Sequence, residues 1–220
     1  MDPVEFAPGC WSDGRLVGST ATLLIDPTPD SVTPDAVTAG AMAAGLPVYV
    51  LFTSAGTVVE LPSVTPTTVY VHASAVDAAT STLGPVPVRG LHTAGVVDLG
   101  GIVAEITHLG PGRSGSDLVV SARVVDARGV PVRTVPPVVY VGDLLDPGEH
   151  AVSAPVEGGS EQMWAASLDL LGGLLGSTGT VARRSGVPGS YDEVESQRGM
   201  RLERGGLIRM PESAKRLPML

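Results

Sequence analysis

Short runs of valine, leucine and alanine, each bounded by glycine or proline, recur along the first 155 residues. Runs of this kind are typical of β-strands separated by turns. A hairpin is predicted where the run 48–53 is followed by Ser-Ala-Gly and then by the run 57–61. The other predicted elements are strands at 18–25, 67–73, 117–126, 130–135 and 138–141, two strand-like pieces between 96 and 109 around Gly100-Gly101, and a short helix at 75–83.

Two further segments have the features of helices. Thr33 can cap a helix over 33–44, because Pro34 suits the first helical position and Gly45 suits the end. Ser160 can cap a second helix over 160–175, in which apolar residues recur at helical spacing and form one stripe. That stripe consists of Trp164, Leu168, Leu171 and Leu175.

These elements divide the chain into four parts: an irregular segment 1–17, a β-rich body 18–155, a linker and amphipathic helix 156–180, and an extended basic arm 181–220. Hydrophobic residues make up 43% of the chain, enough for a core, but aromatic residues only 4%, so valine, leucine and alanine must build it. The expected fold class is mainly β, either β-sandwich-like or α+β, with one inserted helix, a C-terminal amphipathic helix and an extended C-terminal arm.

Charge is distributed unevenly along the chain, whose formal net charge is −9. Residues 181–220 contain 8 of the 14 basic residues and only 5 of the 23 acidic ones. They also lack the apolar content of a core and are rich in glycine and proline, so we expect an arm that orders on a neighbouring subunit. The alternative is a solvated tail. The predicted partner-binding residues are Arg183, Arg184, Arg198, Arg201, Arg204, Leu207, Ile208, Arg209, Met210, Arg216, Leu217 and Met219.

Known catalytic, metal and nucleotide motifs are not found in the sequence, which favours a protein that is not an enzyme and has no cofactor. The segment GPGRSGSD at 110–117 could cradle a phosphate, but it lacks a P-loop lysine and its flanks predict a hairpin loop. Histidines 72 and 108 are interpreted as sheet-face or surface residues. A divalent cation near Asp143, Asp146, Glu149 and His150 remains an alternative, although the spacing is not that of a calcium loop.

Composition argues against several kinds of partner and cellular location. The acidic body argues against nucleic-acid binding, and no apolar run approaches the length of a membrane span. The single cysteine, Cys10, cannot form an intramolecular disulfide. The first fifteen residues have neither a basic nor a long apolar region, so no signal peptide is expected.

The segment VVSARVVDARGVPVRTVPPVVYV at 119–141 resembles a hairpin of bacterial immunoglobulin-like domains. The resemblance depends on alternating apolar residues followed by Asp126, a turn at Gly129, and a restart at Pro131-Val132. It covers about a tenth of the chain. It implies an adhesion or ligand-binding module as an alternative function.

The whole chain is similar in character to virion structural proteins of tailed phages that infect high-GC, actinobacterial hosts. It has no asparagine and one lysine against thirteen arginines, as expected of GC-rich codons, and it combines a Val-, Thr-, Gly- and Pro-rich acidic body with a terminal arm. The similarity implies a virion subunit of the tail, the head–tail region or the capsid surface. Such a subunit would assemble with copies of itself and with other virion proteins through the arm.

Overall fold

The computed structural model of the chain describes residues 14–28, 42–61, 64–132, 138–146, 153–156, 158–176, 179–183 and 189–206. These residues form two five-stranded sheets and three α-helices. The predicted α+β fold class is therefore confirmed. The helix predicted over 33–44 lies almost wholly outside the described residues.

The first sheet is mostly parallel. Its strands are β1 (Arg15–Val17), β2 (Thr22–Ile25), β3 (Val48–Leu51), β4 (Thr68–His72) and β5 (Val88–Leu91), in the order β1-β2-β3-β4-β5. Only the β1–β2 pair is antiparallel, and helix α1 (Val76–Leu83) connects β4 to β5.

The hairpin predicted at 48–53 and 57–61 is wrong. Strand β3 pairs in parallel with β2 and β4, and residues Ala55–Thr57 form a 3-10 turn. A strand buried on both faces has the same continuous apolar sequence whether its neighbours are parallel or antiparallel. The sequence around β3 therefore could not distinguish a hairpin from a crossover.

The second sheet is mostly antiparallel. Its order is β10-β9-β8-β7-β6, and only the β9–β10 pair is parallel. Gly100 and Gly101, with φ of 80° and 81°, form the turn between β6 and β7, which confirms the two strand-like pieces predicted around them. The strands are β6 (Ala94–Asp98), β7 (Ile102–Thr107), β8 (Val119–Val124), β9 (Val138–Tyr140) and β10 (Thr180–Ala182).

The two sheets pack face to face, with helices on their outer faces. One buried apolar cluster contains residues of both sheets, among them Leu23, Leu51, Ile106, Val120 and Tyr140. Alternate residues on the first sheet's outer face pack with the α1 segment, and helix α2 (Glu161–Leu175) packs on the outer face of the second sheet. Each fully buried leucine or valine contributes about 1.5–3 kcal/mol to folding.

Helix α2 agrees with its prediction. The Ser160 side chain accepts a hydrogen bond from the Met163 backbone N–H at 3.2 Å, which is the expected N-terminal cap. The four residues of the apolar stripe are all buried in the cluster beneath the helix. The stripe is recognisable in the sequence because a helix that docks by apolar contact repeats its buried residues every three or four positions.

The C-terminal region differs from the expected extended arm. Residues Tyr191–Arg204 form helix α3, which packs against α2 of the same chain. Acidic residues lie in its first turn and Arg201 and Arg204 in its last, so both ends complement the helix dipole. The expectation of an extended arm that leaves its own body does not hold for 189–206, whereas 207–220 lie outside the described residues.

Candidate functional site

Helix α3 is anchored by one buried arginine. The Arg201 side chain is 1% exposed, and its Nη2 lies 2.7 Å from Oδ2 of Asp146. Its Nη1 lies 3.1 Å from a carboxylate oxygen of Glu161 and donates to the Ser153 carbonyl at 2.7 Å. The guanidinium carbon is 3.4 Å from the centroid of the Trp164 ring, a cation–π contact. Helix α3, helix α2 and the loop after β9 therefore meet at a single side chain.

A glutamine extends this anchor. The Gln197 side chain accepts from the Asp146 backbone N–H at 3.0 Å and donates to the Asp146 carbonyl at 2.9 Å. It thereby satisfies a backbone segment that has no strand partner at this point. The result is a polar interface in which the buried groups of Asp146 are paired with α3.

Four of the twelve predicted partner-binding residues are described, and all four contact acidic groups of their own chain. Arg183 pairs with Glu193, and Arg198 lies 3.0 Å from Asp169. Arg204 and Arg201 both pair with Glu161. The remaining eight lie outside the described residues, and their role stays a prediction: Arg184, Leu207, Ile208, Arg209, Met210, Arg216, Leu217 and Met219.

A second cluster of polar side chains lies where the parallel strands β2 and β3 end. Asp26, directly after β2, is buried and has a φ of 45°, in the left-handed region that aspartate tolerates better than most residues. Its carboxylate accepts from the Thr53 backbone N–H at 2.7 Å and from the Thr57 hydroxyl at 2.8 Å. Gly142 is required beside it, because a Cβ there would lie 2.0 Å from Oγ1 of Thr53.

The glycine-rich segment 110–117 lies in the loop that joins the antiparallel strands β7 and β8, as predicted. Asp117 accepts from the Ser114 backbone N–H at 2.7 Å and from the Ser114 hydroxyl at 2.6 Å. Burial raises the pKa of Asp117, and the hydrogen bonds from Ser114 oppose that rise. The Ser116 hydroxyl accepts from the Ala55 backbone N–H at 3.0 Å, which joins this loop to the end of β3.

A cleft of about 650 Å³ opens between this loop and the carboxyl ends of β3 and β4. Its volume is that of a small-molecule site, and ligands of open parallel sheets bind at the carboxyl ends of the strands. Arg113 and Asp143 face each other in its wall, with Nη1 and Oδ2 3.5 Å apart. Small residues form most of the remaining lining: Ser54, Ala55, Gly56, Ser74, Ser114, Gly115, Ser116 and Gly158.

Two histidines contact residues that line the cleft. The rings of His72 and His108 have centroids 4.5 Å apart, and Nδ1 of His108 lies 2.8 Å from the Asp117 carbonyl oxygen. Burial lowers the pKa of His72, and the neighbouring His108 and His92 lower it further. This contact between tilted rings connects the end of β4 in the first sheet with the end of β7 in the second.

His72 also contacts a serine that lines the cleft. Nδ1 of His72 accepts from the Ser74 backbone N–H at 3.3 Å and lies 2.8 Å from the Ser74 hydroxyl. Because one nitrogen meets both groups of a residue two positions away, the contact has the geometry of a cap on the turn Ala73–Ala75. No motif in the sequence indicates this pair, since serine and histidine two residues apart are too common to mark a site.

The carboxylates considered for a cation face different partners. Asp143 is paired with Arg113 and Asp146 with Arg201, whereas Glu149 and His150 lie outside the described residues. Across the described ranges, no three histidine, cysteine, aspartate or glutamate side chains converge as a metal site would require. None of the helices in the described part of the chain is both long and apolar enough to cross a bilayer.

No protein-family model matches the chain, and no curated protein matches it with significant similarity. Function must therefore be inferred from the residues themselves.

Proposed function

We propose that the protein is a structural subunit of a tailed-phage particle, in the tail, the head–tail region or the capsid surface. It acts by assembling with copies of itself and with other virion proteins, without catalysis or a cofactor. The support is its composition, together with the way its buried charges are used. Asp26 and Asp146 are both hydrogen-bonded within the fold, which suits a structural role.

The anchored helix α3 is the observation that carries this proposal. Arg201 fixes the helix to the body, and the carbonyl of Gly205 accepts from Nε2 of Gln162 at 3.3 Å. The chain therefore leaves α3 beside the N-terminal end of α2. Once another contact holds two subunits together, a binding segment that starts from a fixed point has a high effective concentration at the neighbouring subunit. The following sequence offers apolar anchors for such a neighbour: Leu207, Ile208, Met210, Leu217 and Met219.

Truncation after Gly206 tests the proposal. Deleting 207–220 should leave the far-ultraviolet circular dichroism and the melting temperature unchanged while abolishing incorporation into particles. A deletion from 183 would be a poor test, because it removes the whole of helix α3, including the Gln197 and Arg201 that pair with Asp146, and so alters the body itself.

Two full-length variants separate the contributions of apolar and charged residues to incorporation into particles. Replacing Leu207, Ile208 and Met210 by serine should impair incorporation more than replacing Arg209 and Arg216 by glutamine, because charged contacts at the rim of an interface generally contribute little. If the chain truncated after Gly206 enters particles at normal occupancy, the proposal is wrong.

The alternative is a bacterial immunoglobulin-like adhesion or ligand-binding module. The hairpin that resembles such domains does form an antiparallel pair, with Val120 opposite Tyr140 and Gly129 at φ 77° in the turn. The parallel strands β2 to β5, however, differ from an immunoglobulin sandwich, whose sheets are antiparallel. The cleft favours the ligand-binding form of this alternative. Neighbouring genes would discriminate: portal or tape-measure genes support the virion subunit, and a sortase gene supports the adhesin.

A further inference from the structure

We propose that the cleft at the carboxyl ends of β3 and β4 binds a small molecule through an oxyanion group, a phosphate or a carboxylate, which contacts Arg113. This site is separate from the segment proposed for assembly. It would give the subunit a ligand-binding activity in addition to its structural role.

Arg113 has unused hydrogen-bonding capacity. A guanidinium carries five N–H donors in a planar arrangement that matches the oxygens of a phosphate or carboxylate. Its contact with Asp143, at 3.5 Å, is longer than a charge-assisted hydrogen bond. Its buried Nε has no hydrogen-bond partner among the described residues. An acceptor that enters the cleft would allow the side chain to adjust and satisfy these donors.

The rest of the lining is suited to close approach. Gly56 has no side chain, and a Cβ there would meet only Oγ of Ser54, at 3.9 Å, so a ligand can reach the backbone at this position. Gly115 also lines the cleft, but its missing side chain makes room for the backbone of Gly158. The hydroxyl of Ser54 can donate to oxygen atoms of the ligand. The hydroxyls of Ser74 and Ser116 now contact His72 and Ser114, and they can donate to the ligand by exchanging those partners. The volume of about 650 Å³ is larger than one oxyanion requires, so the oxyanion should belong to a small organic molecule.

The two carboxylates of the cleft do not prevent anion binding. Asp117 accepts two hydrogen bonds from Ser114, and its burial favours the neutral form. Asp143 is the present counter-ion of Arg113, so an arriving oxyanion must compete with it. This competition predicts that neutralising Asp143 strengthens oxyanion binding.

Titration of the full chain with inorganic phosphate, sulfate and acetate tests the site. Calorimetry should show saturable binding of at least one probe, and the amide resonances of Gly56 and Gly115 should shift with it. Arg113→Gln should weaken that binding about tenfold or more, as expected for a lost hydrogen bond to a charged group. Arg123→Gln is the matched control: Arg123 pairs with Glu105 at 3.4 Å outside the cleft lining, so its loss should change nothing.

Further variants separate a site from a general charge effect. Asp143→Asn should tighten binding, and Arg113→Lys, which keeps the charge without the planar donors, should bind between wild type and Arg113→Gln. A preference for glycerol 3-phosphate over acetate assigns a phosphate ligand, and the reverse assigns a carboxylate. The chain truncated after Gly206 should bind as wild type does, so failure of the assembly proposal would leave this one standing. The inference is overturned if no probe binds, or if Arg113→Gln and Arg123→Gln behave alike while both remain folded.

Discussion

Helices α2 and α3 dock on the body by opposite means. Helix α2 buries an apolar stripe that includes Trp164 and Leu168, whereas α3 buries a single apolar residue, Val194, together with Gln197 and Arg201. Apolar burial has no directional requirement and stabilises in proportion to area. The α3 interface instead depends on each hydrogen bond and charge having its partner.

The difference predicts different sensitivities to substitution. Removing methylenes beneath α2 leaves a cavity that the neighbouring side chains can partly fill. Removing one partner of the α3 ion pair leaves a buried charge without its counter-charge, and small movements of the neighbouring side chains cannot replace it. The polar interface should therefore be the more sensitive of the two, although it contains fewer buried side chains.

Arg201→Leu should have the largest effect. It leaves the carboxylate of Asp146, 3% exposed, without its guanidinium partner. Loss of one partner of a buried pair costs about 3–5 kcal/mol in the free energy of unfolding, measured by urea denaturation. The matched control is Arg198→Leu, one turn earlier, whose exposed pair with Asp169 contributes less than about 1 kcal/mol. Equal losses for the two variants would show that Arg201 does not anchor the helix.

Leu168→Ala tests the apolar side of the comparison. Leu168 is fully buried beneath α2. Its truncation should therefore cost about 2–5 kcal/mol in the same measurement. The control on the same helix is Leu170→Ala, because the Leu170 side chain is 54% exposed. That truncation should change stability by less than about 0.5 kcal/mol, as is usual for surface positions. A large loss at Leu170 would mean that the outer face of α2 also docks on something.

The same contrast explains what the sequence can predict. The stripe of α2 lies within fifteen residues and repeats, so the sequence alone is enough to recognise it. The partner of Arg201 is Asp146, 55 residues earlier in the chain, and no local pattern connects the two. Helix α3 is polar for most of its length, so its composition resembles that of a solvated arm.

The cleft is only partly recognisable in the sequence. The flanks of the segment 110–117 predict a hairpin loop, which the structure confirms. The convergence of this loop with Ser54 and Ser74, at the ends of two parallel strands, depends on the pairing of β3 with β4. The sequence instead predicts a hairpin that begins with the run 48–53. Because the predicted hairpin gives β3 the wrong neighbour, the sequence prediction does not bring the residues of the cleft together.

Ser160→Ala should have a smaller effect and compares the starts of the two helices. The Ser160 side chain caps α2 through the Met163 N–H, so its loss should cost about 1 kcal/mol. Ser190 occupies the same position before α3 but makes no capping hydrogen bond through its side chain. Ser190→Ala should therefore have the smaller effect on the midpoint of thermal unfolding. The opposite order would contradict the geometry of the α2 cap.

The smallest expected effect is a pH dependence at the polar contact between the sheets. The pKa of His72 is lowered below its ordinary value of 6.5, chiefly by burial and then by His108 and His92. The folded protein therefore binds fewer protons than the unfolded chain just below that value, and stability should fall as the pH falls through this window. The apolar cluster beneath α2 contains no histidine and should contribute nothing to this dependence of stability on pH.

His72→Asn isolates this contribution, because an asparagine oxygen can accept from the Ser74 N–H in place of Nδ1. We expect the variant to lose less stability than wild type between about pH 7 and pH 5, where histidine titrates. His92→Asn, which removes only the weakest of the three influences on His72, should keep most of the slope. Urea denaturation at several pH values gives the free energy of unfolding of wild type, His72→Asn and His92→Asn. Identical slopes for wild type and His72→Asn would place the pH dependence elsewhere, and the contact between the rings of His72 and His108 would then contribute nothing to it.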